Sequence, residues 1–225
     1  MTVSSTAPGR RAYENLKDEA ADYIRAAIVS GDLPARSKID QDVIAEALGI
    51  SRAPVREALI ELAQKGFVDA PPRRGAFVAE LTAGDVEDYY AVVASVFGLT
   101  TRRAVGRLSG ADVEELRRLH REIAVAPDVP RQRELARRFF NLIATTGRSP
   151  RLDALLSFIG GMFPGSFYLE SPAWPAHDAG YRERLLAALD ALDDELAAQI
   201  TDEYLRGCGS IAIDYLTSLG RLAGG

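Results

Sequence analysis

Ile50-Ser51-Arg52-Ala53-Pro54-Val55-Arg56-Glu57-Ala58-Leu59-Ile60 reads as a helix with a defined first residue. Ser51 is a good N-cap, its side-chain oxygen placed to accept a backbone N–H of the first turn, and Pro54 falls in that turn, where a missing N–H costs little. The helix therefore starts at Arg52. Val55, Ala58, Leu59, Leu62 and Ala63 recur at helical spacing and form one buried stripe, while Arg52 and Arg56, four apart, share another face. Just upstream, Asp40 caps a short helix with an apolar face of Val43, Ile44, Ala47 and Leu48, and Gly49 supplies the left-handed residue of a tight turn. Two short helices joined in this way are a helix-turn-helix. Downstream, Gly66 ends the second helix, Phe67-Val68 and Ala76-Phe77-Val78 pair as short strands, and Pro71-Pro72-Arg73-Arg74-Gly75 forms a basic tip between them.

The segments Leu48 to Leu59, Gly66-Phe67-Val68 and Arg74 to Val78 together resemble, without gaps, the winged helix of GntR-family bacterial transcription regulators. That resemblance implies a homodimer on double-stranded DNA with a short palindromic operator, recognition helices in successive major-groove faces and wings toward the minor groove. It puts Arg52 and Arg56 on bases or phosphates, Ser51, Ala53 and Gly75 in backbone or apolar contact, and Arg36, Lys38 and Arg74 on phosphates. Arg36 stands where the family usually holds a glycine. A TetR-like regulator also pairs a helix-turn-helix with a helical ligand domain, but it lacks the Phe67 to Val78 hairpin.

Charge is not the signal that points to DNA. The net charge is −5, and residues 1–80 carry eleven Lys and Arg against twelve Asp and Glu, where a nucleic-acid binder is expected to be basic. The basic character is local: Arg52, Arg56, Lys65, Arg73 and Arg74 outnumber Glu57, Glu61 and Asp69 between Ser51 and Gly75. Phosphate contact depends on the local field, so such an edge binds, with a shallower salt dependence than a basic domain.

A charged fraction of 26% and a hydrophobic fraction of 47% are those of an ordinary soluble chain. No apolar run approaches a membrane span, and residues 1–9 read as a disordered tail without a signal-peptide core. The expectation is a cytoplasmic protein that does not engage membranes. Cys208 alone forms no internal disulfide, and with His120 and His177 it is a poor supply for zinc. Cys208 reads as a small buried hydrophobe, and both His as surface residues. Trp174, between Pro172 and Pro175, is either a packing anchor or part of a ligand lid.

Taken in order, Tyr13 to Ser30 forms an amphipathic helix on Leu16, Ala20, Tyr23, Ile24 and Ile28, followed by a connection over 32–39. Past Val78 the strand pattern stops. Thr82 with Asp85 opens a helix carrying Val92, Val93, Val96 and Leu99 to about Gly106, and Ser109 with Asp112 opens the next, on Val113, Leu116, Leu119 and Ile123. Pro130 starts a third to about Gly147. Ser149-Pro150 starts a fourth with Leu152, Leu155, Leu156 and Ile159 inside and a kink near Met162. Two long helices, roughly 176–198 and 201–219, close the chain. The fold expected is mainly α: a winged helix-turn-helix over 10–79 and an all-α bundle over 82–220.

The second half is similar to the FCD effector domain of one GntR subfamily, through Phe77-Val78 leading into the Thr82 helix, Gly98 in that helix, Phe139-Phe140 before Pro150, and the leucine and alanine rhythm of 181–205. The resemblance implies a divalent metal held by an Asp and three His, with a helix Arg helping to bind a small carboxylate. Here those ligand positions fall on Ala136, Phe140, Arg182 and Tyr204, and the Arg position on Val93. Ala and Phe offer no donor and Arg is a cation, so no metal and no other cofactor is expected. Val93, Phe97, Phe139, Phe140 and Tyr204 would instead line an apolar interior, with Arg182 as its one cation. That suits a small apolar or acyl-type effector pairing one anionic group with Arg182. The alternative is an effector-independent regulator with a filled core. A helical-bundle enzyme finds little support, since no phosphate loop, HExxH, GxSxG or nucleophile–base spacing occurs.

Overall fold

The computed structural model describes residues 8–160 and 167–223, and the chain divides between Leu81 and Thr82 into two units. The N-terminal unit runs α1 (Pro8–Ser30), β1 (Lys38–Ile39), α2 (Gln41–Leu48), α3 (Arg52–Gln64), β2 (Val68–Asp69) and β3 (Ala76–Val78). Pro8 and Gly9, expected in the tail, already belong to α1, and the rest of the tail lies outside the described residues.

Local chemistry sets the helix-turn-helix. The Asp40 side chain accepts the Asp42 N–H at 2.9 Å, and Gly49 adopts φ 65°, which lets the Ile50 N–H reach Ala45 O at 3.0 Å. The face of α2 differs from the expectation. Ile44 and Ala45 are buried with Leu48 packed beside them, whereas Val43 is 62% exposed and Ala47 is also exposed. A two-turn helix presents only one stripe to α3, and Val43 and Ala47 lie on its flank. Ser51 has N-cap geometry but its side chain makes no capping bond. Pro54 is the third residue of α3 and has no N–H to give, which removes the usual donor.

The core of this unit joins Ala20 and Ile24 of α1, Ile44 of α2, Val55, Ala58, Leu59 and Leu62 of α3, and Val68, Ala76 and Val78 of the sheet. Tyr23 of α1, expected inside, is 43% exposed. A charged clasp joins α1 to α3: Lys17 Nζ lies 2.8 Å from Glu61 Oε2, and Lys65 Nζ 2.5 Å from Glu61 Oε1. Hydrogen bonds from Lys17 and then Lys65 hold the Glu61 carboxyl below the usual carboxylate range. The sheet has three strands in the order β1-β3-β2, both pairings antiparallel. The 32–39 connection therefore contains a strand that local pattern did not show. Two residues carry no alternation, and only pairing with β3 (Lys38 opposite Phe77, Ile39 opposite Ala76) defines it.

The C-terminal unit comprises α4 (Ala83–Val105), α5 (Gly110–Ala124), α6 (Val129–Gly147), α7 (Pro150–Gly160), α8 (Phe167–Glu170), α9 (Trp174–Asp190) and α10 (Asp194–Ser218). Thr82 with Asp85 and Ser109 with Asp112 form full capping boxes, and Asp128 caps α6 through the Arg131 N–H at 2.8 Å. α4 and α10 pack antiparallel, close enough that a Cβ on Gly98 would lie 3.2 Å from Ala198 O and one on Gly209 2.9 Å from Tyr90 Cβ. The stripe of α4 is Val86, Tyr90, Val93 and Ala94; Val92 and Leu99, expected inside, are 49% and 41% exposed. On α7, Leu155 is also exposed, and the kink expected near Met162 lies outside the described residues. The last two helices break at Ala191–Asp193 and not near residue 200: Leu192 takes φ 52°, and Asp193 caps α10 by accepting the Leu196 N–H at 2.9 Å. An Asp N-cap outweighs a continuous apolar rhythm at such a junction. Among the described residues no helix is long and apolar enough to cross a membrane.

Candidate DNA-contact surface and a cavity in the helical unit

The first turn of α3 projects its polar residues outward. Arg52 and Arg56 are exposed, as is Ser51, while Pro54 and Val55 are buried beneath them and Ala53 is half-buried. Arg52 Nε is paired with Asp42 Oδ1 of α2, and both side chains are largely in solvent. An exposed pair of this kind is worth about 0–1 kcal/mol, so Arg52 is pre-positioned and readily released.

The wing carries the second basic group. Arg73 and Arg74 are exposed at the tip, where the Arg74 N–H closes a turn onto Pro71 O at 3.1 Å. Gly75 has φ 92°, and a Cβ there would lie 3.3 Å from Lys38 Cε, so the third strand brings the Lys38 chain beside the wing tip. Arg36 has φ 62°, a left-handed conformation that accounts for the glycine the resembling family usually holds there. Its N–H bonds Val78 O at 2.9 Å, and its Nη2 lies 2.5 Å from Glu80 Oε2. Arg36 thus meets Glu80 where Lys38 and Arg74 face solvent.

In the C-terminal unit, α4, α6, α8, α9 and α10 enclose a cavity of about 390 Å³. Val93, Phe97, Phe139, Phe140 and Tyr204 all line it. Phe97 and Phe140 pack at 4.9 Å between ring centroids. Tyr90, Tyr168, Trp174 and Tyr181 complete an aromatic wall, and burial pushes the hydroxyls of these tyrosines and of Tyr204 well above the ordinary phenol value, so all stay neutral. Trp174 is a 1%-exposed wall residue whose Nε1 donates to Tyr204 Oη at 3.4 Å. The exposed residues Glu134 and Arg137 mark the opening, beside Arg133, which forks onto Glu170 at 3.0 and 3.3 Å.

Arg182 is not part of the lining. It is 2% exposed, paired with Asp178 one turn earlier on α9, and burial lowers its pKa to about 10, which leaves it charged near neutrality. Asp178 is the member of this pair that reaches the cavity, and its Oδ1 accepts the Tyr204 hydroxyl at 3.0 Å. The i, i+4 spacing of Asp178 and Arg182 is visible in the sequence and signals the pair; which partner faces the space is not. The histidines also differ from the surface reading. His177 is half-buried, stacked on Tyr204 at 5.0 Å with Nε2 2.8 Å from Tyr204 O, and the His120 Nδ1 is buried. The donor set does not suit the metal that the FCD resemblance implies: Ala136 and Phe140 supply nothing, Arg182 is a cation, and Asp178 is committed to it. Among the described residues no group of three or more His, Cys, Asp or Glu could hold a metal ion.

Comparison with known proteins places these features in a wider set. Residues 16–78 match the bacterial regulatory proteins described as the gntR family, and residues 88–207 match the FCD domain. An uncharacterized HTH-type transcriptional regulator of Mycobacterium tuberculosis is 23% identical over 153 residues, which is 68% of this chain and 63% of that protein, less than two thirds of its length. A probable D-xylose utilization operon transcriptional repressor of Paenarthrobacter nicotinovorans is 26% identical over 183 residues, 80% of each chain. Among solved structures, McbR/YncC of E. coli shares the fold with a TM-score of 0.59 at 24% identity, covering 88% of this chain and 97% of its own.

Proposed function

The chain belongs to the gntR family of bacterial regulatory proteins and carries an FCD domain, and from that premise we propose that it is a sequence-specific DNA-binding transcriptional repressor without enzymatic activity. The observation that supports this most directly is the outward first turn of α3, with Arg52 and Arg56 exposed over a buried Pro54 and Val55; the same unit exposes Arg74 at the wing tip and Lys38 of β1 beside Gly75. Arg52 and Arg56 read bases or phosphates from the major groove, with Ser51 and Ala53 in close contact, and the wing and Arg36 contact the backbone. One module reads one half-site, so a homodimer reads a short palindrome.

The helical unit is the sensor. The 390 Å³ cavity, within the size range of small-molecule sites, favours a ligand over a core closed on its own side chains. Its walls suit an apolar or acyl-type molecule bound without metal. Ligand binding shifts the helical unit between two packings and thereby changes the fit of the paired recognition helices to the operator.

The test is an operator obtained by selection from random duplexes on the full-length protein, followed by fluorescence anisotropy on the selected site and on scrambled DNA. Arg52→Ala loses roughly 10- to 100-fold in specific affinity, the value of one bidentate base contact, while its unfolding midpoint is unchanged. Selective binding that survives Arg52→Ala overturns the assignment of α3 as the reading helix.

A further inference from the structure

The polar end of the cavity has the opposite sign from the one an anion-binding site needs. Asp178 is 4% exposed and lines the cavity, whereas Arg182, its ion-pair partner, does not reach it. The Tyr204 hydroxyl takes the Trp174 Nε1–H at 3.4 Å and donates its own proton to Asp178 Oδ1 at 3.0 Å. Tyr204 is further fixed between two rings, 4.1 Å from Tyr181 and 5.0 Å from His177. That end of the cavity therefore has a carboxylate and no uncommitted donor from Tyr204 or Trp174.

We propose that Asp178 is the recognition group of this cavity, and that its ligand is an aromatic or aliphatic molecule carrying a hydroxyl or amine donor at its inner end. The inference rests on the reading of the helical unit as a ligand-binding unit and gives that ligand its chemical class. A carboxylate has about four acceptor positions; Tyr204 and Arg182 occupy two, so capacity remains for a further donor. The Arg182 guanidinium paired with it favours the charged carboxylate over the neutral acid, and a hydrogen bond to a charged acceptor is about twice as strong as a neutral one. A ligand carboxylate at the same end would meet a like charge in a low-dielectric wall and be rejected. An anionic group on the ligand belongs at the opening, near Arg137.

Four probes of one shape separate the possibilities by equilibrium dialysis against the full-length protein: 2-naphthol, naphthalen-2-ylmethylamine, 2-methoxynaphthalene and 2-naphthoate. The expected result is that the naphthol, the amine or both bind roughly 10-fold or more tightly than the methoxy and carboxylate compounds. The preferred arm then shows whether the natural donor is neutral or cationic. Asp178→Leu with Arg182→Met removes the pair without orphaning a buried charge, a replacement that often leaves stability intact. In that variant, with helicity and unfolding midpoint checked, the donor preference disappears while the methoxy compound still binds. Binding of all four probes without a donor preference, tightest binding of the naphthoate, or a preference that survives in the double variant overturns Asp178 as the recognition group and leaves the sensor reading standing. Failure of all four to bind overturns both.

Discussion

Gly147 offers the most demanding test of how the helical unit is packed. It is the last residue of α6, a position where glycine ordinarily marks helix termination, yet its structural role is proximity. A Cβ built there falls 1.9 Å from the Thr100 carbonyl oxygen, 2.8 Å from its carbon and 3.0 Å from Thr100 Cγ2. Ordinary contact distances would require α4 and α6 to part by roughly 1.5 Å. The clash is with helix backbone, which cannot swing aside as a side chain can. Separation would loosen the wall that Val93 and Phe97 of α4 share with Phe139 and Phe140 of α6. Overpacking of this kind costs about 1–3 kcal/mol or more, and alanine recovers at most about 0.5–1 kcal/mol of helix propensity. Gly147→Ala therefore destabilises the C-terminal unit by about 2 kcal/mol, which lowers a urea midpoint by about 1 M for a typical slope. The chain has a single tryptophan, Trp174, buried in this unit, so its fluorescence follows the unit alone. An unchanged or raised midpoint refutes the close approach of α4 and α6.

Three further outcomes follow from particular residues. Glu61 has its pKa lowered by the Lys17 and Lys65 hydrogen bonds, so its contribution is present above the unfolded carboxylate value and lost as pH falls through the lower folded one; Glu61→Gln costs about 1 kcal/mol at pH 7, and urea titrations of the two proteins converge as the pH falls below the ordinary carboxylate range. Cys208 is fully buried and burial pushes its thiol up to about 12, so native protein at pH 8 stays unmodified by iodoacetamide, as intact mass shows, and reacts once urea unfolds it. Arg36→Gly relieves a left-handed residue worth about 1 kcal/mol but adds unfolded-state entropy of similar size, leaving stability nearly unchanged. If Arg36 contacts a phosphate, the same variant lowers the salt slope of operator binding by about 0.9 per contact; an unaltered slope removes Arg36 from the interface.

Much of this architecture was legible one element at a time, because its signals are local. Asp40, Thr82, Ser109 and Gly49 mark boundaries through hydrogen bonds within a few residues, and the stripes of α3 and α5 repeat every turn. The same logic marks the basic wing, whereas Ala136 and Phe140 are set in ligand positions only by the FCD resemblance. Where local signals compete, it fell short: Pro54 removes the donor that Ser51 would have capped, and the α9–α10 junction hides inside one apolar rhythm until the Asp193 cap is seen.

The cavity shows what sequence leaves undecided. Val93, Phe97, Phe139, Phe140 and Tyr204, which the FCD resemblance brings together, line one cavity, and Arg182, expected with them, does not. Their volume against one another is a non-local quantity, and so is the choice between Asp178 and Arg182 as the group that faces it. The short strand β1, which delivers Lys38 to the wing tip, exists only because β3 offers it partners. The sequence alone determined the starts of α2, α4 and α5 and the buried stripe of α3, because those depend on neighbours a turn away. Tertiary structure decided which charge the interior presents and where two backbones touch, because burial and contact are set by residues far apart in the chain.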